Sequence, residues 1–380
     1  MKRSTLILLL LLALMAAAVL YYYYWWRKAV PPAPGPAPSL VSLLPADADF
    51  VFYVDAAALR ASTFVQELLA ALPSPKEDRD YADFVRRTGF DYTRDLDRIA
   101  AAIRPRIEGS KGRRDDSVTA IAEGRFDRQR IGAYAIETGK RTRLGGDEGY
   151  IVPAQNGGSV LLLFLAENRV LLTDSPAAFV GGVRAYGHTP VQSFESPLAN
   201  RVARVAGSEL FAVAYVNPEA SGALTNFLPT DLVSGELKET LESIQWLTLA
   251  VRPAEAERRR LSRAEPKGPA GSSQAPVRPL LVALEAECTS PGDAKKLAWS
   301  LEGLRVLARM AMFDPKATKG MDPALAALFH TILKDGKITS ADRYVRLSFS
   351  LGPDFLAALR PRPTAPNKSK RTAPPLTSPR

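Results

Sequence analysis

Short apolar stretches at strand spacing recur along the chain. They are Phe50–Val54, Ile99–Pro105, Val118–Glu123, Tyr150–Val152, Ser159–Leu165, Arg169–Thr173, Leu210–Val216, Leu247–Pro253, Leu280–Cys288 and Tyr344–Leu351. Rich in β-branched and aromatic residues and bounded by polar or Gly/Pro positions, they predict strands. Apolar residues three and four apart predict helices at Ala56–Leu72, Arg128–Ile136 and, most clearly, Asp293–Met312. In the last of these, Leu297, Leu301, Leu304, Ala308 and Ala311 share one face. Trp299 and Met310 flank that face, the pattern of a helix packed on a sheet. Gly157-Gly158 marks a hairpin turn, with a weaker counterpart at Asp335-Gly336.

Helix starts carry their own signal. Ser175-Pro176, Asn217-Pro218 and Ser290-Pro291 each place a capping oxygen before a proline at the first helical position, where no N–H is needed. Asp293 supplies the first-turn acid of a capping box, and Asp55 ends its strand where a cap is expected.

The order of these elements suggests a duplication. Ile99–Pro105 matches Leu247–Pro253, and an acidic stretch precedes each, Asp91–Asp97 and Glu236–Glu242. A basic polar insert follows each, Arg106–Ser117 and Ala254–Pro279. One element order then fits both halves. The expected fold class is α+β: two tandem repeats of mainly antiparallel sheet with packed helices, preceded by one N-terminal transmembrane helix. The expected boundaries are a transmembrane signal anchor at 1–28, a Pro/Ala-rich linker at 29–43, repeat 1 at 44–190, repeat 2 at 191–359 with a disordered insert at 254–279, and a basic disordered tail at 360–380.

The anchor rests on Thr5–Trp26, which carries no charge and ends in six aromatic residues, Tyr21–Trp26. As a helix it reaches roughly 33 Å, enough to cross a hydrocarbon core, with aromatics at headgroup level. Ala16-Ala17-Ala18 also fits a signal-peptidase site, so cleavage is the alternative to retention. Either route exports the body, and retention places it on the outer side of the inner membrane.

Composition narrows the partners. The chain has 50 bases and 40 acids among 380 residues. Ten of the bases lie in 1–28 and 360–380, where there are no acids, so 29–359 is electrically balanced. A nucleic-acid-binding domain carries its excess in the folded part, which argues against that class. One cysteine, Cys288, forbids an intramolecular disulfide and reads as a small buried hydrophobe.

No motif names a reaction. There is no Gly-x-Ser-x-Gly elbow and no His-Glu-x-x-His helix. Gly139-Lys140 has Tyr134 where a phosphate loop needs glycine. His188 and His330 are far apart, without ligand-spaced neighbours, and Asp115-Asp116 and Asp147-Glu148 read as carboxylate pairs on polar loops. No catalytic residue, metal ligand or cofactor follows from the sequence. The candidate contacts to an anionic surface are Arg258, Arg259 and Arg260 in the insert, and Lys368, Lys370 and Arg371 in the tail.

Leu44–Asp49, the strand into Val54-Asp55, Leu59-Arg60 and Thr88–Asp97 together resemble uncharacterised, membrane-anchored envelope proteins of bacteria with a duplicated α+β unit. The resemblance implies location and architecture and carries no functional residues across. The function expected is that of a single-pass envelope protein whose exported body binds a protein, a lipid or a cell-wall polymer without catalysis. The alternative is an exported hydrolase using carboxylates from loops, which a buried Asp or Glu near Asp147 or Asp174 would favour.

Overall fold

The computed structural model describes residues 40–45, 47–71, 79–108, 113–144, 147–154, 158–174, 197–216, 235–253, 279–312 and 323–359. A single-turn 3-10 helix, Val41–Leu43, leads into β1 (Phe50–Asp55). Four helices follow: α1 (Ala56–Ala61), α2 (Thr63–Ala71), α3 (Arg79–Thr88) and α4 (Tyr92–Asp95). Next come β2 (Leu96–Glu108), β3 (Arg113–Gly124) and α5 (Arg128–Thr138). Four strands complete that half: β4 (Lys140–Leu144), β5 (Asp147–Pro153), β6 (Ser159–Ala166) and β7 (Arg169–Thr173). The remainder holds α6 (Pro197–Val205), β8 (Leu210–Tyr215), α7 (Gly235–Glu242), β9 (Ile244–Pro253), β10 (Leu280–Cys288) and α8 (Pro291–Met312). It closes with α9 (Pro323–Asp335), β11 (Lys337–Ala341), β12 (Tyr344–Leu351) and α10 (Pro353–Leu359).

All twelve strands join one sheet in the order β11-β12-β10-β9-β8-β1-β2-β3-β7-β6-β5-β4, and every pairing recorded between them is antiparallel. This corrects the expectation of two tandem repeats. The two halves of the chain meet edge to edge at β1 and β8, which pair from Phe50↔Ala214 to Val54↔Leu210. Seven strands lie on one side of that junction and five on the other. Two backbone bonds extend it beyond the ladder, Asp55 N–H to the Glu209 carbonyl and Tyr215 N–H to the Asp49 carbonyl, both 2.6 Å.

The expected N-terminal transmembrane helix, and the membrane reading built on it, are also corrected. No helix among the described residues is long and apolar enough to cross a membrane. The longest, α8, spans 22 residues but carries Asp293, Lys295, Lys296, Glu302, Arg305 and Arg309. Residues 1–28 lie outside the described residues, as do the tail at 360–380, most of the insert and the expected caps at Ser175 and Asn217.

Alternation along the strands sends side chains to two faces. On the first, Val51 and Tyr53 of β1, Ala100 and Ala102 of β2, and Phe211 and Val213 of β8 lie beneath Leu40, Val41, Leu44 and α6. The second face holds four buried clusters, one of which joins Phe50 of β1 to Ala212 and Ala214 of β8. Ile131 and Ala135 of α5 sit on Ala122, Phe164 and Val170, while Ala294 and Leu297 of α8 sit on Leu247, Ala286 and Cys288. Phe64 of α2 and Phe355 and Leu356 of α10 close over Leu280. Cys288 is fully buried and forms no disulfide.

Both sheet edges are blunted against further strand pairing. The β4 edge exposes Lys140, Arg141 and Arg143, and the β11 edge is short and begins with an exposed Lys337. The β11–β12 hairpin turns through Asp342-Arg343, with Asp342 in the left-handed region at φ 52°. Asp335-Gly336, expected to be that turn, instead ends α9. Gly336 N–H bonds the Ile332 carbonyl, and a Cβ there would collide with the same oxygen.

Candidate interaction surface

Of the expected caps, Asp55 and Ser290 are where the sequence places them. Asp55 Oδ1 accepts the Ala58 N–H at 2.8 Å, which starts α1. Ser290 Oγ accepts the Asp293 N–H at 3.1 Å and donates to the Asp293 carboxylate at 2.6 Å. Those hydroxyl bonds, from Ser290 first and then Thr289, hold the Asp293 carboxyl below the usual range.

Asp55 also opens a ladder of charges on the first face. Its other oxygen takes Arg98 Nε at 3.2 Å, and Arg98 reaches Glu123 at 3.4 Å. Arg169 closes on Glu123 at 2.5 Å. The four side chains stand on β1, β2, β3 and β7 in neighbouring register, so each acid faces a base across the strand gap. Burial, with Asp55 adding to it, pushes the Tyr53 hydroxyl beside this ladder up to about 12.

A second charged cluster lies under α6. Arg201 grips Glu287 of β10 through Nε at 2.8 Å and Nη2 at 2.6 Å, and stacks over Trp246 with its guanidinium 4.2 Å from the ring centre. Arg204 pairs with Glu285 at 3.5 Å and lies 3.9 Å over Tyr344. Burial pulls Arg201 below the usual guanidinium range, opposed by its pairing to Glu287.

Asp95, Glu123, Glu285 and Glu287 are the buried carboxylates among the described residues, and each faces at least one arginine. Asp95 is the one of the four held well below the usual carboxylate range, first by its bond to Arg94, whereas a general acid needs its pKa raised. Glu209 is the described carboxyl that burial pushes upward, against the pull of Arg252. Its Oε2 is closed off from solvent, while the residue as a whole is half-buried.

Asp147 and Glu148, expected on a loop, open β5 instead. Asp147 is exposed. Glu148 accepts the Tyr150 hydroxyl at 2.7 Å and pairs with Arg141, and the tyrosine bond leads in holding it below its usual range. Asp174 is exposed and accepts the Val118 N–H at 2.9 Å. Asp115-Asp116 falls within β3 rather than on a loop. His330 is exposed on α9, and His188 lies outside the described residues. No group of three His, Cys, Asp or Glu among the described residues could hold a metal ion. Arg258, Arg259, Arg260, Lys368, Lys370 and Arg371 lie outside the described residues, so the structure brings none of them together.

The feature that sequence reasoning missed is the outer side of α8. Leu297, Leu301 and Leu304 pack inward as expected. Trp299 and Met310 do not flank that face; they belong to a second one. At 3.6 residues per turn, Trp299, Gly303, Val306, Leu307 and Met310 fall within about 100° of arc. Trp299 is 82% exposed, Met310 57%, Leu307 51% and Val306 48%. A Cβ at Gly303 would meet nothing within 4 Å. Lys295, Lys296 and Arg309, all exposed, border this ridge. Of the acids of α8, Asp293 serves the cap, and Glu302, its side chain 46% exposed at the edge of the ridge, is paired to Arg305. The outer side of α8 is therefore apolar with cationic shoulders.

Asp95 yields a pH prediction. The Arg94 guanidinium beside it leads in holding its carboxyl at about 2, below the usual 3.8. A depressed folded-state pKa adds stability that is present above the unfolded value and is lost as pH falls through the folded one. Denaturant midpoints are expected to drop between pH 4 and pH 2, and Asp95→Asn to flatten that drop while lowering the midpoint at pH 7.

No known protein family, curated protein or solved structure matches this chain.

Proposed function

We propose that this chain is a non-catalytic binding protein whose folded body works outside the cytosol and engages its partner through the outer side of α8. The observation that carries the reading is the Trp299–Met310 ridge: four large apolar side chains are held in water on a helix whose other side is already packed on the sheet. Contiguous exposed apolar surface of this kind marks interaction sites. Each buried carboxylate among the described residues is engaged by an arginine, which favours binding over hydrolysis.

Two single-cysteine additions test the proposal in cells making the full chain, since Cys288 is buried and silent. Ile136→Cys, exposed on α5 at the other end of the sheet, is expected to react with a membrane-impermeant maleimide. Met310→Cys is expected to react several-fold less in cells while reacting equally in the purified chain. No labelling at 136 removes the exported location. Equal labelling at both positions in cells removes the binding reading.

A further inference from the structure

We infer that the occupant of the α8 ridge is an anionic lipid surface, onto which the helix lies flat without crossing it; the inference rests on the binding reading above. Three features of the ridge choose among possible occupants. The first is shape. Trp299 stands 82% exposed and nothing lies within 4 Å of a Cβ at Gly303, so the apolar strip projects outward and forms no cleft. A peptide docks where walls enclose it, whereas a planar interface accepts a projecting strip.

The second is charge. The exposed positions of α8 carry Lys295, Lys296 and Arg309, the last also donating to the Leu333 and Lys334 carbonyls of α9, while Asp293 serves the cap and the half-exposed Glu302 is paired to Arg305. A second copy of the chain, laid antiparallel on the same ridge, would bring the Lys295-Lys296 shoulder against Arg309 of the other copy. Like charges would then meet at the ends of the contact, which disfavours self-association. An anionic surface meets all three cations favourably.

The third is the kind of side chain. Trp299 pairs an apolar ring with an N–H that suits headgroup depth, and Val306, Leu307 and Met310 supply the part that sinks deeper. Lysine stems beside such a strip lie along it and hold their ammonium groups at the charged layer. From Lys295 to Met310 the strip runs roughly 22 Å along the helix, at about 1.5 Å per residue. That is a contact along one leaflet.

The test uses the full chain with Met310→Cys carrying an environment-sensitive nitrobenzoxadiazole dye, so that the signal reports α8 alone and not residues 1–28. Vesicles are made of phosphatidylcholine, with or without an equal part of phosphatidylglycerol. The expected result is a blue shift and a several-fold rise in emission on the phosphatidylglycerol vesicles only, with the dye at Ile136→Cys unchanged. Adding Lys295→Glu and Lys296→Glu is expected to lower the partition at least tenfold; both positions are exposed, and an unchanged thermal melt shows that the fold is kept.

No response at 310 on anionic vesicles overturns the inference, as does an equal response on pure phosphatidylcholine or at 136. The two readings fail separately. A position 310 that is protected in cells yet unresponsive to anionic vesicles sinks the lipid surface and leaves a protein as occupant. A position 310 that is reactive in cells sinks the binding reading itself.

Discussion

Glu287→Ala is expected to destabilise the protein by about 3–5 kcal/mol, among the largest effects of any single substitution. Glu287 is 1% exposed on β10 and takes two bonds from Arg201, with Arg343 Nε at 3.4 Å beside them. The Arg201 side chain is itself only 13% exposed and lies flat on Trp246, so it cannot swing into water without uncovering the ring. Deleting the carboxylate strands a desolvated guanidinium between α6 and the sheet. The loss measures that stranding and not the net worth of the pair, since taking two charges out of water costs about as much as their attraction returns. Replacing both partners together, Arg201→Leu with Glu287→Leu, is therefore expected to recover most of the loss. Urea midpoints for the two single variants and the double variant decide it. A Glu287→Ala cost below about 1 kcal/mol would mean that the pair is solvated, as surface ion pairs are.

That pair also shows where sequence reading stops. The run Leu280–Cys288 identifies its own strand, because alternation is a local property. Nothing local says that Glu285 and Glu287 face α6, since their arginines lie more than eighty residues earlier. Caps were legible for the opposite reason. Asp55 with Ala58, and Ser290 with Asp293, close within four residues, so the pattern contains the whole interaction. The single sheet was not legible because the strand that completes β1 is β8, about 160 residues on. Both carry apolar residues on both faces, which says that they are buried without saying beside what. β4 went unseen because Lys140–Leu144 has the polar character of an edge strand and lacks the apolar alternation of an inner one. The ridge on α8 was hidden by a sufficient explanation. Leu297, Leu301 and Leu304 account for packing, and Trp299 and Met310 then pass as its margins until the sheet fixes which side faces water.

Phe211→Ala is the second large effect, expected at about 3–5 kcal/mol, and it tests the single sheet directly. Phe211 is fully buried on β8 and stacks on Tyr53 of β1, with ring centroids 5.1 Å apart and planes 24° from parallel. The contact sits on the strand pair that, among the described residues, joins the two halves of the chain within the sheet. Truncation removes the ring's transfer free energy and leaves a cavity that Val51, Val213 and Ala250 are too short to fill. If the halves were separate bodies, loss of a joint residue would uncouple them, and two transitions would appear. A continuous sheet buries its junction as core, so Phe211→Ala is expected to lower one shared transition and leave it single. Trp246 fluorescence, read with Trp25, Trp26 and Trp299 replaced by Phe, follows the five-strand side, and the dye at Ile136→Cys follows the seven-strand side. Coincident urea curves from the two probes, both moved to lower midpoint, are the expected result. Curves that separate in the variant, with the seven-strand side unmoved, would mean that the β1–β8 pairing holds the halves adjacent without making them one cooperative unit.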